Sequence, residues 1–150
     1  MSAARRFDGR NAVVTGAGRG IGLAIVRRLL AEGAAVVLSD LDDSVAQTVA
    51  ASLDAPDHVL GVGGNLARED VAARQIAATM ERFGRLDILV NNAGGGILLP
   101  FLKHTPQTLR ETVDRNLWTA VWCSYYALPH MKAAGHGRII NIGADSVRNG

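Results

Sequence analysis

Residues able to hold a polyphosphate come early in this chain: Thr15-Gly16-Ala17-Gly18-Arg19-Gly20-Ile21-Gly22. The run follows the apolar Ala12-Val13-Val14 and leads into a helical pattern of Ile21, Leu23, Ala24, Ile25, Val26, Leu29 and Leu30. A strand, a glycine turn and a helix in that order offer first-turn N–H groups to an anion, and the helix dipole adds to the attraction. Gly16 lets the chain turn sharply off the strand. Gly20 and Gly22 have no Cβ to keep a diphosphate or the sheet at a distance. The spacing is Gly-x-x-x-Gly-x-Gly, neither the Gly-x-Gly-x-x-Gly dinucleotide fingerprint nor a P-loop, because no Gly-Lys-Ser/Thr follows. The bland alternative is a tight turn that binds nothing.

Asp40 is the second group with chemistry to offer. It ends an apolar run over residues 34–39, stands 18 residues after Gly22, and has Leu41 beside it. A carboxylate there can accept hydrogen bonds from both hydroxyls of an adenosine ribose and repels a 2′-phosphate, which points to NAD rather than NADP. Arg19 pulls the other way, since a cation in the loop suits a 2′-phosphate. The alternative role for Asp40 is to cap a helix starting near Asp42-Asp43-Ser44.

The elements that must position these groups alternate. Strands are expected over residues 11–15, 34–39, 58–62, 86–90 and 137–143. Helices are expected over 20–32, 44–53 and 67–83, with a long one from Thr105 to about Lys132. Gly33 and Gly84 stop two of them. This order predicts one α/β domain over residues 1–150, a doubly wound parallel sheet of Rossmann type with five strands, incomplete on its carboxyl-terminal side. Ligands of such sheets bind outside the carboxyl ends of the strands. Residues 15–22, Asp40, Asn65 and 91–94 all fall there. Residues 1–10 read as a loose polar arm.

The extended glycine spacing behind Thr15 and the run Asp87-Ile88-Leu89-Val90-Asn91-Asn92-Ala93-Gly94 resemble the short-chain dehydrogenase/reductase family. The resemblance covers essentially the whole chain but only the amino-terminal part of the family's domain. It implies an NAD-dependent oxidoreductase moving hydride between NAD(H) and a small-molecule alcohol or carbonyl substrate. By the same resemblance, Gly16, Arg19, Gly20, Ile21, Gly22, Asp40 and Leu41 bind the cofactor. Asn65 and Leu66 meet the adenine, and Asn92, Ala93 and Gly94 line the nicotinamide-ribose side. The Asn91-Asn92 pair ties the central strands. Asn65 bonded only to its own loop is the alternative at that position. Asn116, a poor helix former inside the long helix, matches the family asparagine that bends the helix and holds a water of the proton relay; a solvent-facing Asn116 is the alternative. The equivalent long helix meets a partner subunit in the family, so the full-length parent is expected to be a homo-oligomer. Here the helix carries Trp118, Trp122, Tyr125 and Tyr126 on one stripe, and Val113, Leu117, Val121 and Leu128 on a second. Burial on both sides within the chain is equally compatible.

The sequence departs from the family at Asn141-Ile142-Gly143-Ala144, where the family reads Asn-Ile-Ser-Ser. Ala144 has no hydroxyl, and Ser146 takes over only if the loop is offset; otherwise it is a loop serine bonding backbone. No Tyr-x-x-x-Lys occurs within the 150 residues, and neither Tyr125 nor Tyr126 has a lysine four positions on. The chain is therefore expected to be a fragment without turnover. Its last strand is expected to present an apolar edge, giving a loose monomer or aggregation. The rival reading is a non-catalytic dinucleotide-binding or sensing module. A methyl-donor fold is a third, against which residues 91–94 argue.

Composition sets the limits. Hydrophobic residues make up 48% and charged residues 20%, enough for a packed core, and the net charge of +2 suggests neither a nucleic-acid nor an anionic-membrane partner. Cys123 is the single cysteine and excludes an internal disulfide. No apolar run is long enough for a membrane span, so a cytoplasmic protein is expected. His58, His104, His130 and His136 show no metal-ligand spacing.

Overall fold

The computed structural model describes residues 5–144. Its strands are β1 (Asn11–Val14), β2 (Ala35–Asp40), β3 (Val59–Gly63), β4 (Ile88–Asn91) and β5 (Arg138–Asn141). The helices are α1 (Gly20–Ala31), α2 (Asp43–Ser52), α3 (Glu69–Phe83), α4 (Pro106–Val113) and α5 (Thr119–Ala133). All strand pairs are parallel and the order is β3-β2-β1-β4-β5, the doubly wound Rossmann-like arrangement. The chain winds outward from β1 to β3, returns to β4 on the other side of β1, and winds outward again. The switch between β1 and β4 opens a crevice at the carboxyl ends of the strands.

Side chains alternate across the strands, and both faces of the inner strands are apolar and covered, while Ile140 of the edge strand β5 stays exposed. Val14, Val36 and Leu38 pack under Val26, Leu29 and Ala46 of α1 and α2. Val13, Val37 and Leu89 pack under Ile76, Cys123 and Ala127 of α3 and α5. Burial pushes the Cys123 thiol up to about 12, so it packs as an apolar group rather than acting as a nucleophile.

The helix starts follow from local chemistry. Asp42 caps α2 by accepting from the Ser44 N–H at 2.8 Å, and the Ser44 hydroxyl and backbone together hold its carboxyl below the usual range. Thr105 and Thr108 form a reciprocal capping box at α4, with Pro106 in the first turn. Helix α3 starts at Glu69, later than its pattern suggests. Asn65 accepts from Ala67 N–H through Oδ1 and from Arg68 N–H through its carbonyl, so these residues form a turn. No helix of the described residues is long and apolar enough to cross a membrane.

Three expectations are corrected. Residues 5–10 are not a loose arm. The Phe7 N–H donates to the Glu32 carbonyl at 3.0 Å, and Arg10 Nη1 donates to Asp87 at 2.9 Å. Arg6 and then Arg28 pair with the buried Glu32 carboxylate and, against the cost of its burial, hold it down to about 2. The long helix is also not continuous: Asp114–Trp118 form a π-helical turn between α4 and α5.

The third correction concerns which side of that helix is buried. Neither of the two apolar stripes supplies the buried face, although Trp122 and Tyr126 pack against the edge of the core. Thr119, Cys123, Ala127 and Met131 supply it, because small side chains let α5 come close to α3 and the sheet. Trp118 stacks on Trp122 with ring centroids 5.2 Å apart, and Leu117, Val121, Tyr125 and Leu128 remain exposed. Tyr126 reaches across to donate to Glu69 at 2.7 Å, tying α5 to the start of α3.

Candidate functional site

The turn from β1 to α1 is built against the end of β4. Gly16 sits at φ +62°, where a Cβ would lie 2.8 Å from the Ala93 Cα. A Cβ on Gly22 would lie 2.7 Å from Asn92 Nδ2 and 2.8 Å from the Ala17 Cα. No side chain fits at either position without moving backbone. Polar bonds then fix the turn. Thr15 Oγ1 accepts from the N–H groups of Asn92 and Ala93 at 3.0 and 2.9 Å. Asn92 Nδ2 donates to the carbonyls of Thr15 and Gly16, both at 3.0 Å. The Ala17 N–H donates to the Ser39 carbonyl at 2.6 Å, tying the turn to β2 as well.

Helix α1 opens toward the crevice without a side-chain cap. Arg19 holds the N-cap position in extended conformation, offers no capping bond, and no acid occupies the first turn. The positive end of the helix therefore has neither a side-chain cap nor a carboxylate in its first turn, whereas α2 and α4 cap themselves.

Above the strand ends lies a cleft of about 470 Å³. Gly16, Arg19, Asp40 and Leu41 line one side, Asn65 and Leu66 the end beyond β3, and Ala93 and Gly94 the side beyond β4. Eight of the residues singled out in the sequence thus meet in one place. Gly20, Ile21, Gly22 and Asn92 belong to the turn beside it rather than to its walls, and Ser146 lies outside the described residues. A hollow of about 370 Å³ near Gly33 and His58 opens at the amino ends of the strands, away from these groups.

Asp40 does not cap α2. Its Oδ1 accepts from the Asp42 N–H at 3.2 Å, and the carboxylate lies against Gly18, where a Cβ would collide with Oδ2. It lines the cleft directly beside the turn. Asn65 is bonded to its own loop through Oδ1 while also lining the cleft, and Leu66 beside it is buried. Asn116 is exposed but fully engaged. Its Nδ2 donates to the Thr112 and Gly95 carbonyls at 2.8 Å each, and its Oδ1 accepts from the Gly95 N–H at 3.1 Å. It sits in the π-helical turn and clamps the segment after β4. Asn91 Nδ2 donates to Asn141 Oδ1 at 2.9 Å and to Ser124 Oγ at 3.1 Å, joining β4 to β5 and α5.

The cleft also contains Ser39, Gly64, Gly95, Gly96, Arg115 and Thr119, which sequence reasoning did not single out. The buried Ser39 hydroxyl has no partner among the described residues. Its place at the end of β2, one residue before Asp40, was the available signal. Nothing in the sequence marked Arg115, which lines the cleft from the π-helical turn.

An uncapped helix end, a turn closed to side chains at Gly16 and Gly22 and a carboxylate beside it, all at the switch point of a parallel sheet, define a Rossmann-type fold with a cleft at the carboxyl ends of its strands. The chain belongs to the short chain dehydrogenase family, whose pattern matches residues 10–150. Among its relatives, a 2,3-dihydroxy-2,3-dihydro-p-cumate dehydrogenase of Pseudomonas putida F1 is 54% identical over 146 residues, covering 96% of this chain and 56% of that protein. A 1,6-dihydroxycyclohexa-2,4-diene-1-carboxylate dehydrogenase of Pseudomonas putida is 37% identical, covering 96% of the chain and 54% of the relative. A cis-4-hydroxycyclohexanecarboxylate dehydrogenase of Sinomonas cyclohexanicum is 37% identical, covering 91% and 55%. The chain spans about half the length of the curated relatives it matches.

Proposed function

We propose that this chain is the cofactor-binding part of an NAD-dependent oxidoreductase acting on a hydroxyl or carbonyl carbon of a small ring-shaped substrate. The observation that carries the reading is the cleft itself, with the open end of α1 and the Asp40 carboxylate side by side on one wall. The diphosphate of the dinucleotide rests on the first-turn N–H groups of α1 and on the turn from Gly16 to Gly22. Asp40 accepts from the adenosine ribose hydroxyls and disfavours a 2′-phosphate, which selects NAD over NADP. Leu66 lies under the adenine, and Ala93 and Gly94 face the nicotinamide-ribose half. When bound, the nicotinamide supplies the two-electron acceptor or donor of the reaction.

The chain's own residues position that group. Asn92 holds the phosphate turn, and Asn116 clamps the segment that follows Gly94. The substrate reading draws support from the relatives, whose names describe dihydroxylated or hydroxylated six-membered carbon rings. The same names speak against the non-catalytic module. No Tyr-x-x-x-Lys is present among these residues, so this polypeptide is proposed to bind dinucleotide without turning substrate over. A cytoplasmic location, a homo-oligomeric parent through the exposed face of α5, and Ser146 as a replacement hydroxyl belong to the same proposal.

Calorimetric titration tests the cofactor choice. The unsubstituted chain is expected to bind NAD more tightly than NADP. Asp40→Ala should weaken NAD by about 1.5–3 kcal/mol, the loss of hydrogen bonds to a charged group, and narrow the gap to NADP. NADP binding more tightly than NAD in the unsubstituted chain would overturn the role given to Asp40.

A further inference from the structure

The two outer edges of the sheet differ. At β3 the edge is closed from within the chain. The Val59 N–H donates to the Ala55 carbonyl at 2.9 Å, Gln47 Nε2 donates to the Gly61 carbonyl at 2.8 Å, and the Gly63 N–H donates to Asp43 Oδ1 at 2.8 Å. Glycine at 61 and 63 lets α2 lie this close, since a Cβ at either would collide with its backbone. At β5 the edge is open. The Arg138 and Ile142 N–H groups donate inward, to the Asp87 and Asn91 carbonyls at 2.8 and 2.9 Å. Alternation along the strand turns the N–H and C=O of Ile139 and Asn141 outward, and no partner for them occurs among the described residues. The carbonyl of Gly137, just before the strand, is taken by the Arg138 side chain at 2.8 Å.

The apolar side chains of this strand are open as well. Ile140 stands in register with Val90, on the sheet face that α1 and α2 cover over β1, β2 and β3. That cover stops short of β5, where Ile140 and Ile142 are 44% and 42% exposed. The outward groups are self-complementary. A two-fold axis through Ile140 sets Ile139 opposite Asn141 of a second, antiparallel copy, and Asn141 opposite its Ile139. Each such pair exchanges its N–H and C=O groups. Ile140 then meets Ile140 of the second copy at the closer, non-bonded position. Ile142 meets the aliphatic stem of its Arg138, so no charge stands opposite a like charge. We propose that two copies of this chain join edge to edge through β5, their sheets running on as one. Because the β3 edges are closed, the pair has no free strand at either end and stops at two. This surface is separate from the exposed face of α5 and does not depend on the dinucleotide reading.

Sedimentation equilibrium at rising concentration, with amide exchange read residue by residue, tests this. The expected result is a monomer–dimer equilibrium with no larger species. Exchange at Ile139 and Asn141 slows as the dimer fills, while Arg138 and Ile142, already bonded to β4, keep their rates. Ile140→Lys sets two cations face to face on the axis and should weaken pairing by about tenfold, through lost apolar contact and like-charge repulsion. Ile140→Glu alone should do the same, and mixing the two variants should restore a dimer, which a merely misfolded strand would not give. Leu128→Lys, on the exposed face of α5, should leave pairing unchanged. A monomer at every concentration overturns the proposal. So does a dimer lost in Leu128→Lys and kept in Ile140→Lys, which puts the contact on α5. Open-ended growth overturns it too, because the β3 edge would then also pair. If the Ile140 variants fail to melt cooperatively, the unsubstituted chain decides: dimerisation without slower exchange at Ile139 and Asn141 rules out the β5 contact.

Discussion

Gly16→Val is expected to lower NAD affinity by at least about a hundredfold and to cost about 2–4 kcal/mol of stability, the sum of left-handed backbone strain and overpacking. Two independent obstacles produce the effect. At φ +62° a β-branched residue is in the region its side chain resists most, and the new Cβ would lie 2.8 Å from the Ala93 Cα. Relief requires the turn to move away from β4. That breaks the Thr15 and Asn92 bonds and withdraws the α1 N-terminus from the cleft. Gly84→Val supplies the control. Gly84 also has positive φ, at +70°, but open space around it, and it ends α3 far from the cleft. It should cost only the backbone strain of about 1–2 kcal/mol and leave binding intact. Urea unfolding and calorimetry on both variants check this. NAD affinity preserved in Gly16→Val would mean that the ligand does not use this turn.

Asp87→Ala is expected to bring the largest loss of stability from any carboxylate among the described residues, about 3 kcal/mol, near the lower end for breaking a buried ion pair. Asp87 has no exposed side-chain surface. Its Oδ2 accepts from the Asn11 N–H at 3.0 Å, and its Oδ1 from Arg10 at 2.9 Å and Arg85 at 2.7 Å. The group ties β1, the segment before it and the approach to β4 together at the amino ends of the central strands. Both arginines are part-exposed and can rehydrate after the substitution, which keeps the cost from the upper end.

The same cluster sets the acid limit. Burial opposes the charge on Asp87, but the Asn11 N–H and the two guanidiniums outweigh it and hold the carboxyl below its ordinary range. A folded-state value below the unfolded one means that the stabilisation is complete above the ordinary carboxylate range, near pH 4. It is lost as pH falls through the folded value. Glu32, held at about 2, acts in the same direction. Unfolding free energy is expected to fall from about pH 4 toward pH 2, and less steeply in Asp87→Asn. A flat profile over that interval in the unsubstituted chain would contradict this.

How far the sequence foretold the molecule depends on whether a signal was local. Strands β1, β2 and β4 were legible because a strand covered on both faces is apolar at every position, and Gly33 and Gly84 marked helix ends because glycine accepts the positive φ found at both. The cleft residues were legible because the topology places every strand's carboxyl end on one edge, so Gly16, Asp40, Leu66 and Gly94 had to converge. What failed to show was tertiary. The partner of Asn116 is Gly95, 21 residues away, and no spacing announces a bond between a helix side chain and a glycine backbone. The buried face of α5 was misjudged because its bulkiest residues draw attention, while close packing against α3 and the sheet selects Cys123 and Ala127. Residues 5–10 looked loose because arginine and aspartate usually are; Glu32 and Asp87 anchor them at long range.

The central claim is that a dinucleotide rests where β1 turns into α1, within reach of Asp40. Amide chemical shifts of the labelled chain, followed during NAD titration, test it most directly. The account predicts the largest changes at residues 16–22, Asp40, Leu66 and 93–96, with the exposed face of α5 unmoved. Changes concentrated on that face or around Gly33 and His58, or none at millimolar NAD, would contradict it.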